Sequence, residues 1–350
     1  MGFALPEDGR RHEPVKPKLE NSAPDEGSLG VKSRQLAEHF RRFRTPTNTR
    51  FFNALVEHFS PISENPCLEM YFEYAISTNE RGRQVVELIK RFVNLAGRNY
   101  MDVGCAYGGF LVAFAEAGAT VTGVDTDSQL LELARHNLLD NHISGRLLMR
   151  DTTKTEDLRE FHGSLDIVTC NDVIEHVADP LALVKNVSAI LRSDGFAYFE
   201  IPNRFYPRFV LEDGHYKLFG ITLLDFPEAE QYFSLHAPGV SYGVHYIGID
   251  ECKRLFEHAG MELSVLPESL QNSGLESVLG DIAELGGVAE SRLERVPEAV
   301  RSLVRERLAQ YLRETSLTPR VTLPEQQEFL RLYGTSFWRV IGSKERRFRI

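Results

Sequence analysis

The stretch YMDVGCAYGGFLVAFAEAG, residues 100–118, passes from an apolar segment ending at Asp102, through a turn of small residues, into an apolar segment of helical character. A strand handed to a helix through a glycine-rich turn opens many α/β sheets, and it lets backbone N–H groups approach a ligand at the strand's carboxyl end. Outward from this unit, short apolar strands alternate with amphipathic helices, the rhythm of a parallel sheet with helices on both faces. Strands are expected at about 99–103, 120–125, 145–150, 165–170 and 195–201, a sixth in MELSVLPES (261–269) and a last in TSFWRVIGSK (335–344). Between them, one helix carries Leu130, Ala134 and Leu138. Another opens at ADP, with Asp179 as N-cap and Pro180 in the first turn, and buries Leu183, Val187, Ile190 and Leu191.

The flanks read differently. Residues 1–28, rich in Pro, Glu, Lys, Asp and Gly, have too few large apolar side chains to offset the entropy of ordering, so a flexible leader is expected. Residues 29–97 carry apolar positions at three- and four-residue spacing in SRQLAEHFRRF, TRFFNALVEHF and ERGRQVVELIKRFVNL, the pattern of a helical cap before a main domain at 98–344. Residues 203–247, rich in aromatics, His and Pro, are too long for an ordinary connection and suggest a lid or substrate insertion. The helix DECKRLFEHAG sets Cys252, Leu255, Phe256 and Ala259 on one stripe, with Gly260 at its end. Residues 270–333 form a mainly helical insertion with Val300, Leu303, Val304, Leu308, Tyr311 and Leu312 on one face, and 345–350 are a basic tail.

With 350 residues, 42% hydrophobic, the chain can bury a sizeable core. A formal net charge of −10 argues against a broad nucleic-acid or anionic-lipid surface, although RRFRTPTNTR (41–50) and ERRFRI (345–350) are locally basic. Cys67, Cys105, Cys170 and Cys252 lack CxxC spacing, so neither a zinc knuckle nor a disulfide framework is expected. No run of about 18 apolar residues and no signal-peptide pattern is present, and a cytoplasmic location is expected.

The turn's glycines, Gly104, Gly108 and Gly109, match the dinucleotide pattern GxGxxG poorly. Asp102 decides more. A carboxylate beside a diphosphate would be repelled, whereas beside an ammonium group it attracts. Asp125, ending the second strand in VTGVDTD, can accept both ribose hydroxyls, and Asp151, in LLMRDTT, can accept from the exocyclic amine of adenine.

In this order DVGCAYGG, GVDTD, RD, LDIVTCNDVIEHVADP and LRSDGFAYFEIPN resemble the class I S-adenosylmethionine-dependent methyltransferases, and among them the small-molecule O-methyltransferases of the ubiquinone-biosynthesis type. The resemblance covers about 98–270 and implies an α/β, Rossmann-like, seven-stranded, mostly parallel sheet, with the N-terminal cap and the insertions as helical additions. It implies S-adenosylmethionine as cofactor, with Asp102, Gly104 and Gly108 at its methionine end, Asp125 at the ribose, and Asp151 with Thr152 at the adenine. Cys105, Ala106, Thr126 and Asn171 complete the implied cofactor set; Ala106 departs from the family's usual glycine.

Methyl transfer from a sulfonium needs an aligned nucleophile and, for a hydroxyl, removal of its proton. Candidates should lie beyond the carboxyl ends of strands four and five, where NDVIEHVADP places Asp172, Glu175 and His176 at i, i+3 and i+4, one face of a helical turn. Either His176 is a general base near its ordinary pKa, oriented by a carboxylate, or the three ligate a divalent cation such as magnesium that acidifies a bound hydroxyl, or Glu175 and His176 hold the loop. DxxEH is similar to the ExxEH element of ubiquinone-pathway enzymes and small-RNA 2′-O-methyltransferases, with Asp for the first Glu, and His245 matches a downstream His of that pattern. Asp213 and His215 add a possible acid/base pair or sugar-hydroxyl clamp.

The expected activity is methyl transfer to a hydroxyl of a small metabolite, a sugar or glycan precursor or an aromatic intermediate. RNA 2′-O-methylation with a divalent metal and N- or C-methylation of a small molecule are the alternatives. A binding protein that keeps the fold without catalysis would show degraded cofactor motifs, whereas these are largely intact. Neither the acceptor nor the oligomeric state is legible.

Overall fold

A computed structural model describes residues 31–40, 49–65, 67–266 and 274–345. The expected leader, most of the basic stretch 41–50, the stretch 267–273 and the tail from 346 lie outside these residues. The fold is α/β with a seven-stranded, mostly parallel sheet, and the chain divides into two compact units between Asp151 and Thr152.

In the first unit, β1 (Asn99–Val103), β2 (Thr120–Asp125) and β3 (Arg146–Met149) pair in parallel, with β2 in the middle. The helix Gly109–Glu116 returns the chain from β1 to β2 and buries Leu111, Val112 and Phe114; Tyr100 stacks on Phe114 with ring centroids 3.7 Å apart. The helix Ser128–Asp140 starts at Asp127, whose carboxylate accepts from the amide of Gln129 at 2.7 Å.

The expected cap is helical: Val31–Phe40, Arg50–Phe59, Leu68–Ile76 and Thr78–Ile89. Phe40, Phe52, Leu55 and Phe72 form its core and close on Leu130 and Leu133 of the helix Ser128–Asp140. The helix Leu68–Ile76 lies within the expected helical cap but outside the three periodic segments that suggested it. LEMYFEYAI is apolar around most of its circumference, so its periodicity is weak, yet it buries Leu68, Tyr71, Phe72 and Ala75.

In the second unit, β4 (Leu165–Asn171) pairs in parallel with β5 (Leu191–Pro202), while β7 (Phe337–Ser343) runs antiparallel to β5 and to β6 (Glu262–Val265). β5 begins earlier than expected. Leu165 faces Leu191, but Ile167 already faces Phe196, so Arg192–Asp194 bulge outward, exposed, before regular pairing resumes. The helix Pro180–Ile190 starts as expected, with the Asp179 carboxylate accepting from the amide of Ala182 at 2.9 Å.

The segment 203–247 is no loose loop. Its helices Pro207–Leu211 and Phe226–His236 share one core with the helices Leu275–Leu293, Glu298–Leu317 and Leu323–Tyr333, where Val210, Phe233, Tyr242, Leu285, Val304, Tyr311 and Phe329 are buried together. Of the predicted helix face, Val300, Val304, Leu308 and Tyr311 are buried in that core, and Leu303 and Leu312 pack against it. Polar contacts fasten it: Arg208 donates twice to Asp281 (2.7 and 3.1 Å), and the Arg204 guanidinium donates to the carbonyls of Thr222, Leu224 and Tyr246. Among the described residues no helix is long and apolar enough to cross a membrane.

Candidate functional site

In the first unit the turn after β1 needs left-handed backbone at Gly104 (φ 69°), Ala106 (φ 40°) and Gly108 (φ 73°). Ala106 thus carries a side chain at a conformation that an L-residue resists. Four of the turn's amides are spent within the protein. Gly104 and Cys105 both donate to the Val124 carbonyl (2.9 and 3.0 Å), Gly108 to the Cys105 carbonyl (2.8 Å), and Ala106 to Asp125 Oδ2 (2.9 Å). An anion-binding turn keeps such amides for its ligand; this one does not.

What the strand ends supply instead is acid. Asp102 is buried at the end of β1, and Asp125 ends β2, where burial raises its carboxyl against the pull of the Ala106 and Asp127 amides. Asp151 follows β3, half-buried, and Thr126 is exposed. Cys105 points into the packed layer, its Sγ 2.8 Å from where a Cβ on Gly123 would stand, and burial pushes its thiol up.

In the second unit Thr152 is buried, its carbonyl accepting from the Asn186 side chain at 3.0 Å. Asn171 ends β4 with both its amide nitrogen and its amide oxygen buried and without a hydrogen-bond partner. Unpaired buried amide atoms mark a place where a ligand can complete the bonding.

Beyond Asn171 the expected helical turn does not form. Asp172 sits at φ 52°, its amide donating to the Glu200 carbonyl (3.2 Å) as the ladder with β5 ends, and Ile174–His176 make a 3₁₀ turn. Asp172, Glu175 and His176 therefore do not share one helical face. Glu175 instead turns inward, 1% exposed, with neither carboxylate oxygen hydrogen-bonded. Burial, with the charge of Asp172, holds its carboxyl well above the usual range.

Glu175, His176 and His215 converge, one ligating atom of each lying within 4.8 Å of the others. His176 Nδ1 lies 3.3 Å from the Gly243 carbonyl, and since a carbonyl can only accept, Nδ1 carries the proton; Nε2 faces Glu175 Oε1 at 3.8 Å. Burial lowers His176 to about 4, so it is no base at its ordinary pKa. His215, also lowered by burial, has Nδ1 2.8 Å from the Tyr246 hydroxyl, and its ring meets that of His176 edge-on at 5.0 Å.

Two other residues have different tasks. His245 lends its backbone, the amide donating to the Glu175 carbonyl at 2.7 Å, while its ring lies 5.3 Å from that of Phe226. Asp213 accepts from the amides of His215, Tyr216 and Leu218, which holds the loop rather than pairing with the imidazole, 3.8 Å away. Sequence reasoning missed Tyr246 and the Gly243 carbonyl, which orient the two imidazoles. Their only signal was their place in YGVHYIG, the segment around His245.

Residues 77–264 match the family described as "Methyltransferase domain", more than half of the chain. The chain belongs to that family. It is of the class I S-adenosylmethionine-dependent type. The chain is 37% identical over 115 residues to the ubiquinone biosynthesis O-methyltransferase of Haemophilus ducreyi, covering 31% of this chain and 48% of the relative. It is 28% identical over 179 residues to that of Coxiella burnetii, covering 51% and 69%. It thus spans about half the length of the first of these methyltransferases. A crystal structure of magnesium protoporphyrin IX methyltransferase from Synechocystis superposes with a TM-score of 0.41 at 16% identity, over 55% of this chain and 78% of that one.

Proposed function

We propose that this chain transfers a methyl group from S-adenosylmethionine to a hydroxyl of a small molecule, a sugar or glycan precursor or an aromatic intermediate. The observation that carries the cofactor is the turn after β1: four of its amides are consumed internally and carboxylates flank it, which suits an ammonium group and a ribose rather than a pyrophosphate. Asp102 and Gly104 would hold the methionine end, Asp125 the ribose hydroxyls, Asp151 and Thr152 the adenine, and Asn171 would gain the partners that its side chain lacks. Bound there, the sulfonium supplies an activated methyl group.

The chain's own residues must align the acceptor and take up its proton. Glu175, His176 and His215 are the groups gathered for that task, and the neutral imidazoles have their Nδ1 atoms held by Gly243 and Tyr246. The relatives' printed name, O-methyltransferase, supports an oxygen acceptor, and the net charge of −10 favours a small molecule over RNA.

A screen of sugar nucleotides, phenols, catechols and amines, following S-adenosylhomocysteine release and product mass, tests this. Turnover is expected with hydroxyl acceptors, and His176→Ala is expected to lower kcat about 10²–10⁴-fold, the range for a lost proton acceptor. Methylation confined to amines or carbon acids would overturn it.

A further inference from the structure

We propose that Asn137 is a positioning residue for the cofactor: from its buried place on the helix Ser128–Asp140 it holds the turn after β1 in the shape that binds S-adenosylmethionine. The inference rests on the proposed cofactor, and it adds a residue that acts only through the turn.

The turn needs holding. Gly104, Ala106 and Gly108 are all left-handed, and Ala106 is so with a Cβ, a conformation that an L-residue leaves unless its surroundings fix it. Among the described residues, two side chains hydrogen-bond the turn's backbone. Asp125 accepts from the Ala106 amide at 2.9 Å, and Asn137 Nδ2 donates to the Tyr107 carbonyl at 2.8 Å. Asp125 is itself assigned to the ribose, so the holding falls to Asn137.

Asn137 is built for it. The side chain is 1% exposed, and its Nδ2 also donates to Asn79 Oδ1 at 2.8 Å, while its Oδ1 accepts from Asn79 Nδ2 at 3.1 Å and from Asn141 Nδ2 at 3.0 Å. A primary amide has two N–H donors and two acceptor lone pairs, so every bond this side chain can make is made. Because a carbonyl only accepts, Tyr107 fixes which end of the amide is nitrogen. A buried polar network with no member left over specifies one geometry, and Asn79 ties it to the cap helix Thr78–Ile89.

Tyr107 is where such precision matters. Of the amides from Gly104 to Gly108, that of Tyr107 alone has no acceptor among the described residues, so it is the one left to a ligand. Its ring is buried in the cap's core with Phe52 and Leu130, and Asn137 adds a second anchor at the carbonyl. Without that anchor Ala106 can relax out of the left-handed region. Only the fraction of chains that keeps the turn's shape then binds, and the affinity falls in that proportion.

The test is calorimetric titration of the full chain with S-adenosylhomocysteine, each variant checked by circular dichroism and by its unfolding midpoint. Asn137→Ala should bind about tenfold more weakly, the worth of one buried hydrogen bond. Asn137→Asp keeps the size and still accepts from Asn79 and Asn141, but sets an oxygen against the Tyr107 carbonyl; it should lose at least as much, and it serves if the Ala variant fails to fold. Asn79→Ala removes bonds to Asn137 rather than to the turn, so it should lower the midpoint and keep the affinity within about threefold, well under the worth of the turn's bond. Glycine takes left-handed backbone freely. Adding Ala106→Gly to Asn137→Ala should therefore restore the affinity to near that of Ala106→Gly alone, a rescue that a merely structural Asn137 would not give. Parent-like affinity in the Asn137 variants, an equal loss in Asn79→Ala, or no rescue by Ala106→Gly would each overturn this proposal alone, whereas no binding by the parent chain would overturn the proposed cofactor and this proposal with it.

Discussion

His176 and His215 illustrate how burial sets chemistry at single residues. An unfolded chain takes up protons on both near pH 6.5, whereas in the fold burial holds His176 at about 4 and His215 well below its ordinary value. Between these limits the unfolded state binds more protons, so stability is whole above about pH 6.5 and falls as the pH drops toward 4. Replacing the buried His215 with Gln should flatten that slope in chelator-treated protein, measured as the unfolding midpoint at a series of pH values. An unchanged slope would mean that His215 stays accessible to protons. At this scale the sequence was informative about residue identity but not direction. DVIEH looked like a helical turn because i, i+3 and i+4 spacing is all that a string of letters offers, while the left-handed Asp172 that breaks the turn depends on where the ladder with β5 ends.

Among elements, the helices Thr78–Ile89 and Gly109–Glu116 approach backbone to backbone. A Cβ on Gly109 would stand 2.4 Å from the Thr78 carbonyl oxygen, and one on Gly82 would stand 2.6 Å from the Gly109 carbonyl oxygen. Backbone meets backbone there, and neither side can yield by rotating a side chain. Gly109→Ala should therefore cost about 1–3 kcal/mol, the usual range for overpacking, read from denaturant unfolding; a cost below about 0.5 kcal/mol, the range of a neutral surface change, would show that the helices can separate cheaply. The strands and the helices that follow them were legible because alternation and capping residues such as Asp127 and Asp179 are local signals. The helix Leu68–Ile76 was legible only as part of a helical cap, since its burial comes from the aromatic cluster of Phe40, Phe52 and Phe72 rather than from a clear stripe.

Across the whole molecule, the glycine turn and the acids at the strand ends were readable as local signals, and the cofactor they suggest came from the resemblance that their order carries. The convergence of Glu175 with His215, 40 positions apart in the chain, depends on how 203–247 is built into the core it shares with the last three helices. No periodicity in that segment announces such a core, because its residues are buried by partners between Leu275 and Tyr333. The central claim is that the acids after β1 and β2 hold S-adenosylmethionine, and calorimetric titration with S-adenosylhomocysteine tests it most directly. The parent chain should bind one equivalent, and Asp125→Ala, folded by circular dichroism, should bind about ten- to a hundredfold more weakly, the worth of hydrogen bonds to a charged group. Absence of binding by the parent, or equal affinity in the variant, would contradict the account.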